Sequence, residues 1–223
     1  MHVDGHSVLL FFHILLFGYW LGADLGVFFC DSQMTRDDLD IEERLRVRQI
    51  RYKVDLAPRT SIVLMLALGF TLALRYGSPI GGPWLALIWA FALGWLALIW
   101  AARLNVGTPL GARLGRTDRK VWWAVGAAMI GLGAYALATG NVAAPKWLAL
   151  KMLLYGVITW NGIWIMRSAD HWYPLIETVR AGGPGRAAAE AAMKTTRFWC
   201  GASAITLWCL VLLVAFLGTA KPF

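Results

Sequence analysis

His13 stands inside an unbroken apolar run, FFHILLFGYWLGADLGVFF, and Asp24 follows it in the same run. Ionisable groups cost free energy in an apolar medium, so they turn toward a protein interior or a water-filled cavity when they occur there. A neutral imidazole is the commonest metal ligand, and its second ring nitrogen needs a partner of its own. Haem iron takes axial His, Met or Cys. No second histidine stands at the level expected for His13, so a second ligand to such an iron would come from Lys151 in neutral form, from Met65 or from Met152. A four-helix cytochrome with two haems would need several buried histidines that this chain lacks. His2 and His6, nearer the chain start, suit copper instead, and His171 falls in a remote polar segment.

A helical residue advances about 100° and 1.5 Å, which puts His13 and Asp24 only about 20° apart around the axis and roughly 16 Å apart along it. His6 and Trp20 fall on nearly the same line, giving one chemically able stripe. Gly18, Gly22 and Gly26 occupy the opposite face at four-residue spacing, which lets another helix approach closely. Lys151 lies one turn into a later apolar run, with Tyr155 one turn below it, at an outer depth that matches His13. Such a lysine either snorkels to the interface or supplies a cation to a site. Asn161 is deeper in that run. Asp55 and Arg59 flank Pro58, where Arg59 either neutralises Asp24, binds an anionic lipid or carboxylate, or anchors the helix end. Arg75 sits at an outer end, free in water or placed to hold a propionate or phosphate. Arg48 belongs to the basic segment before Pro58.

Those residues need elements to carry them. The chain is 59% hydrophobic and 15% charged, with mean hydropathy +0.58; soluble domains carry about 25% charged residues. That deficit excludes an ordinary soluble surface and points to an all-α polytopic membrane bundle. Thirteen tryptophans suit headgroup-level anchoring, and 23 glycines suit close helix contacts. The formal charge of +8 reads as topology, because basic residues flank apolar runs and no nucleic-acid-binding module is present. Cys30, Cys200 and Cys209 are odd in number and lack CxxC spacing, against a disulfide scaffold. The first run lacks a basic segment before it and holds polar residues, against a cleaved leader.

Six apolar runs, at about 7–29, 58–76, 83–104, 121–139, 146–166 and 199–218, match the length that crosses roughly 30 Å of hydrocarbon. Gly81–Gly82–Pro83, Gly107 with Pro109, Gly140 with Pro145, and Gly182–Gly183–Pro184 punctuate the turns. Segments 31–57, 105–120 and 167–198 hold six, four and five Arg/Lys, whereas 77–82 holds none. The basic segments are expected on the cytoplasmic side, with both termini outside (N-out/C-out). Residues 40–54 alternate charges with Ile41, Leu45, Ile50 and Val54, predicting an amphipathic helix at the cytoplasmic interface or packed under the bundle. Residues 187–194 are also expected to be helical, extending the last span.

The first-helix run, the segment RQIRYKVDLAPRTSIVLMLALGFTLAL and the later WLALKMLL together resemble the membrane superfamily of HemJ-type protoporphyrinogen oxidases and CopD-like copper-resistance proteins, closest to an uncharacterised bacterial branch. The resemblance covers about two thirds of the chain. It implies that His13 matches a first-helix haem b ligand, that Lys151 matches the lysine after the tryptophan, and that Arg48 and Arg59 match basic residues around the second span. Where the oxidase pattern often carries a further histidine, this chain has Asn161, and Asp24 also departs from that pattern. The implied function is a haem b redox protein of the bacterial inner membrane, oxidising a porphyrinogen-like or other reduced substrate, with haem b held by His13, Lys151, Arg75 and Tyr155. Two other readings stay open. One is copper handling through His2, His6, His13 and Asp24. The other is a structural or assembly subunit that packs through its glycine face against a membrane partner or a second copy.

Overall fold

A backbone in hydrocarbon must satisfy its N–H and C=O groups within its own segment, which makes each apolar run helical. The computed structural model describes residues 4–143 and 145–222. These form α1 (Gly5–Met34), α2 (Ile41–Val54), α3 (Leu56–Ala73), α4 (Pro83–Leu104), α5 (Pro109–Thr139), α6 (Lys146–Ala181) and α7 (Arg186–Ala220), with a 3₁₀ turn at Leu74–Tyr76 after α3. Counting α2 and α3 through the 3₁₀ turn as one stretch, six helices are long and apolar enough to cross a membrane. The protein is thus an all-α helical bundle of the multi-pass membrane type.

Local chemistry fixes the ends. Asp4 Oδ1 accepts from the Ser7 amide at 2.6 Å and Thr108 Oγ1 accepts from the Gly111 amide at 3.0 Å, capping α1 and α5. Pro109 sits in the first turn of α5, where a missing N–H costs nothing. Gly140 takes φ 72° to close that helix, a conformation that glycine adopts without a Cβ penalty. In α2, Glu42 and Glu43 occupy the first turn and Arg51 and Lys53 the last, complementing the helix dipole.

The helices close a ring in the order α1–α3–α4–α5–α6–α7–α1. The tightest contact is α5 on α6. A Cβ on Gly133 would overlap the Leu153 backbone, and one on Gly156 would lie 2.7 Å from the Gly126 carbonyl oxygen. The main core runs through Trp20, Val63, Ala67, Trp95, Trp122 and Ile158. The rim is apolar too: Phe11, Ile14, Tyr19, Trp84, Leu87 and Phe216 are all more than half exposed. An apolar exterior of that extent needs lipid around it.

The helices overrun the apolar runs at one end. α1 continues to Met34, α5 begins at Pro109, α6 continues to Ala181 and α7 begins at Arg186. The polar segments 105–120 and 167–198 are therefore largely helix, not loop. They stay helical because they pack: Met34, Leu45, Trp172, Ile176, Val179 and Met193 form a second core at this end, with α2 tucked against it. All three Arg/Lys-rich segments gather here, hereafter the basic end.

Candidate functional site

At the end opposite the basic segments, α1, α3, α6 and α7 enclose a cleft with ≈ 950 Å³ of open volume including its mouth. Its wall is apolar, from residues such as Leu10, Phe70, Met129, Trp147 and Val214. Its polar side chains include His6 and His13 from α1 and Lys151 and Tyr155 from α6, and among the described residues no carboxylate lines it. Met65 and Met152 also face the cleft.

Each polar group has a definite situation. His13 Nδ1 is buried with no hydrogen-bond partner. Opposite it, α3 presents Gly69, and a Cβ there would sit 4.0 Å from His13 Cε1. The Lys151 ammonium rests against Gly218 of α7, where a Cβ would approach Nζ to 2.5 Å, so the glycine makes room for the lysine. No carboxylate lies within ion-pair distance of Lys151 among the described residues. Its charge acts on His13 across the cleft, and Lys221 acts on it in turn. Lys221 stands over the Tyr76 ring, 5.0 Å from its centroid, at the rim. The Tyr155 hydroxyl donates to the Ile62 carbonyl oxygen at 2.8 Å, pinning α6 to α3 at the cleft floor.

The other residues singled out by sequence lie elsewhere. Arg75 is exposed on the 3₁₀ turn and is not part of the cleft wall; its neighbour Tyr76 is, because the turn rotates the arginine outward. Asp24 lies deeper and accepts from Trp208 Nε1 at 2.7 Å. Arg59 does not neutralise it: Arg59 Nε donates to Asp55 at 2.7 Å, one turn away on the helix, and its guanidinium lies 3.7 Å from Asp118. Arg48 reaches Glu177 at 3.4 Å at the basic end. Asn161 accepts from Ser203 Oγ at 3.2 Å, a contact between α6 and α7. Gly18 and Gly22 approach nothing within the chain, and only Gly26 has a near neighbour, Val54 Cγ1 at 3.3 Å from a built Cβ. The close-packing glycines are instead Gly126, Gly133 and Gly156. His171 is exposed at the basic end, its Nδ1 2.7 Å from the Arg167 carbonyl oxygen. His2 lies outside the described residues.

Sequence reasoning missed the ion network of the basic end. Asp55 accepts from both Arg59 and Arg103, Asp31 accepts from Arg51, and Arg44, 1% exposed, is clamped by Glu190 at 2.7 and 2.9 Å. Asp118 Oδ1 accepts from Trp95 Nε1 at 2.9 Å and from Trp122 Nε1 at 3.1 Å. The Asp118–Trp122 spacing of one helical turn was the available signal.

No protein-family model, curated protein or solved structure matches this chain. Among the described residues, no group of three or more His, Cys, Asp or Glu side chains could hold a metal ion alone. The cleft's chemistry is that of an apolar ligand site with an imidazole donor inside and cations at its wall and rim.

Proposed function

We propose that this is a multi-pass protein of the bacterial inner membrane that holds haem b in the cleft of α1, α3, α6 and α7, with His13 as an iron ligand. The basic end lies in the cytoplasm and both termini outside, following the distribution of Arg and Lys, so the cleft opens outward. The observation that carries the reading is the half-buried imidazole of His13, its Nδ1 buried and unpartnered, in an apolar cleft whose open volume including its mouth is ≈ 950 Å³.

The donor set suits haem because a porphyrin brings four nitrogens and asks the protein for only one or two axial ligands. An ammonium has no lone pair to offer iron, so Lys151 in its charged form would serve a propionate, with Lys221 as a second cation at the rim. Arg75, being outside the wall, has no part in this. Tyr155 holds the floor of the cleft through Ile62. When bound, haem supplies a one-electron redox centre, and the chain positions it and tunes its electrostatics. The resemblance to HemJ-type oxidases rests on the same His13 and Lys151 and suggests a porphyrinogen-like or other reduced substrate.

Copper handling is the second reading. Two imidazoles, His6 and His13, and two thioethers, Met65 and Met152, face one cleft, and soft sulfur with imidazole suits copper(I). Absorption spectra and metal analysis of protein purified from haem-replete, copper-supplemented cells separate the two. A Soret band lost in His13→Ala supports haem. Copper without a Soret band supports the second reading and defeats the first.

A further inference from the structure

Asp24 faces a different cleft, deeper in the bundle and of ≈ 430 Å³ open volume. Trp20, Ile62, Trp122, Ile158 and Leu207 make its wall largely apolar. The Asp24 carboxylate accepts from Trp208 Nε1 at 2.7 Å and has no cation within ion-pair distance among the described residues. The neighbouring acids differ in this respect: Asp31 has Arg51, Asp55 has Arg59 and Arg103, and Asp118 has Arg59 at 3.7 Å. An acid left without a counter-cation at membrane depth is costly as an anion and is a usual carrier of protons.

The Asp24 cleft shares wall residues with a second cleft on one side only. Asp55, Arg59 and Met166 line both it and the cleft of ≈ 1230 Å³ at the basic end. It shares no wall residue with the ligand cleft, from which Trp20 and the Tyr155–Ile62 hydrogen bond divide it. The groups that face or surround Asp24 are Asp31 on α1, Arg51 on α2, Asp55 between α2 and α3, Arg59 on α3, and Trp208 and the Cys200 thiol on α7. α5 and α6 contribute Trp122, Ile158, Ile165 and Met166 to the cleft, none of them titratable.

We propose that Asp24 is a proton-binding site at the blind end of a half-channel entered from the basic end. A proton from water in the basic-end cleft adds to Oδ1, the carboxyl oxygen not held by Trp208, and leaves by the same route. The layer of Trp20, Ile62 and Tyr155 keeps that route from joining the ligand cleft, so the bundle binds protons at its centre without leaking them across. This assignment does not depend on what the ligand cleft holds.

Infrared difference spectroscopy of the full chain in lipid nanodiscs, during an acid titration in H₂O and D₂O, tests it. The expected result is a carboxylic-acid C=O band that grows on acidification, shifts in D₂O and is lost in Asp24→Asn. Trp208→Phe keeps the band but moves its frequency, because the indole no longer bonds Oδ2; this arm stands even where Asp24→Asn fails to fold. A spectrum unchanged by Asp24→Asn, a band unmoved by Trp208→Phe, or a band that ignores D₂O would overturn the assignment.

Discussion

Glu190→Gln probes the packing of the basic end most sharply. Arg44 is 1% exposed and Glu190 13% exposed at the side chain. Arg44 makes three strong hydrogen bonds: to Glu190 at 2.7 and 2.9 Å, and to the Met34 carbonyl at 2.8 Å. Replacing the carboxylate by an amide leaves the guanidinium buried with only one acceptor oxygen from that partner. Breaking a buried pair by removing one charge costs about 3–5 kcal/mol. The retained amide oxygen and the Met34 carbonyl place this case at the lower end. A cost of about 3 kcal/mol is about a 150-fold change in the folding equilibrium. The double change Arg44→Met with Glu190→Leu removes both charges and their desolvation, and is expected within about 1 kcal/mol of wild type. Unfolding by SDS in mixed micelles, followed by circular dichroism, reads both. A loss below about 0.5 kcal/mol for Glu190→Gln, the range of ordinary surface changes, would refute the claim that this pair is buried and closes the second core.

Three further outcomes use the same unfolding assay. Gly133→Ala places a Cβ on the Leu153 backbone, which cannot rotate away, and is expected to cost about 1–3 kcal/mol. Gly22→Ala meets nothing within the chain and is expected to change stability by no more than about 0.5 kcal/mol. Asp55→Ala leaves Arg59 and Arg103 without their shared carboxylate and is expected to cost at least as much as Glu190→Gln. In the loop before α2, the Lys194 ammonium holds Asp37 below the usual carboxylate range. A lowered folded value stabilises above the unfolded one, so this small, exposed contribution is present at neutral pH and fades only as pH falls below the ordinary carboxylate range. Asp37→Asn should lower the neutral-pH unfolding midpoint slightly and match wild type at the acid end, where the carboxyl is protonated in both states.

The membrane bundle was readable because long apolar runs in lipid have one backbone solution. The expected helix at 187–194 is the start of α7, whereas the far ends of α5 and α6 were not legible, because their charges resemble solvated loops until Trp172 and Ile176 are seen to pack against Met193. Helical phase put His13 and Trp20 on one face, and the cost of an ionisable group in lipid turned that face inward. The α1 glycine spacing marks a face that permits close approach but does not say what approaches it: within the chain only Gly26 meets a neighbour there, and the closest helix contact falls at Gly133 and Gly156. Of the roles open to Arg59 by depth, neutralising Asp24 is not the one realised, because the carboxylate of Asp55 one turn away takes the ion pair. Topology counting gives Asp and Glu little weight, so Asp31, Asp118 and Glu190 passed without notice although each anchors a buried donor. The cleft itself needed the ring order of the helices, which no single segment encodes.

Titration of haemin into the purified protein in detergent, followed at the Soret band, tests the central claim most directly. Wild type should saturate at one haem per chain, with His13→Ala weakening binding and altering the band, and Arg75→Ala leaving both unchanged. Equal binding and identical spectra for wild type and His13→Ala would contradict the account.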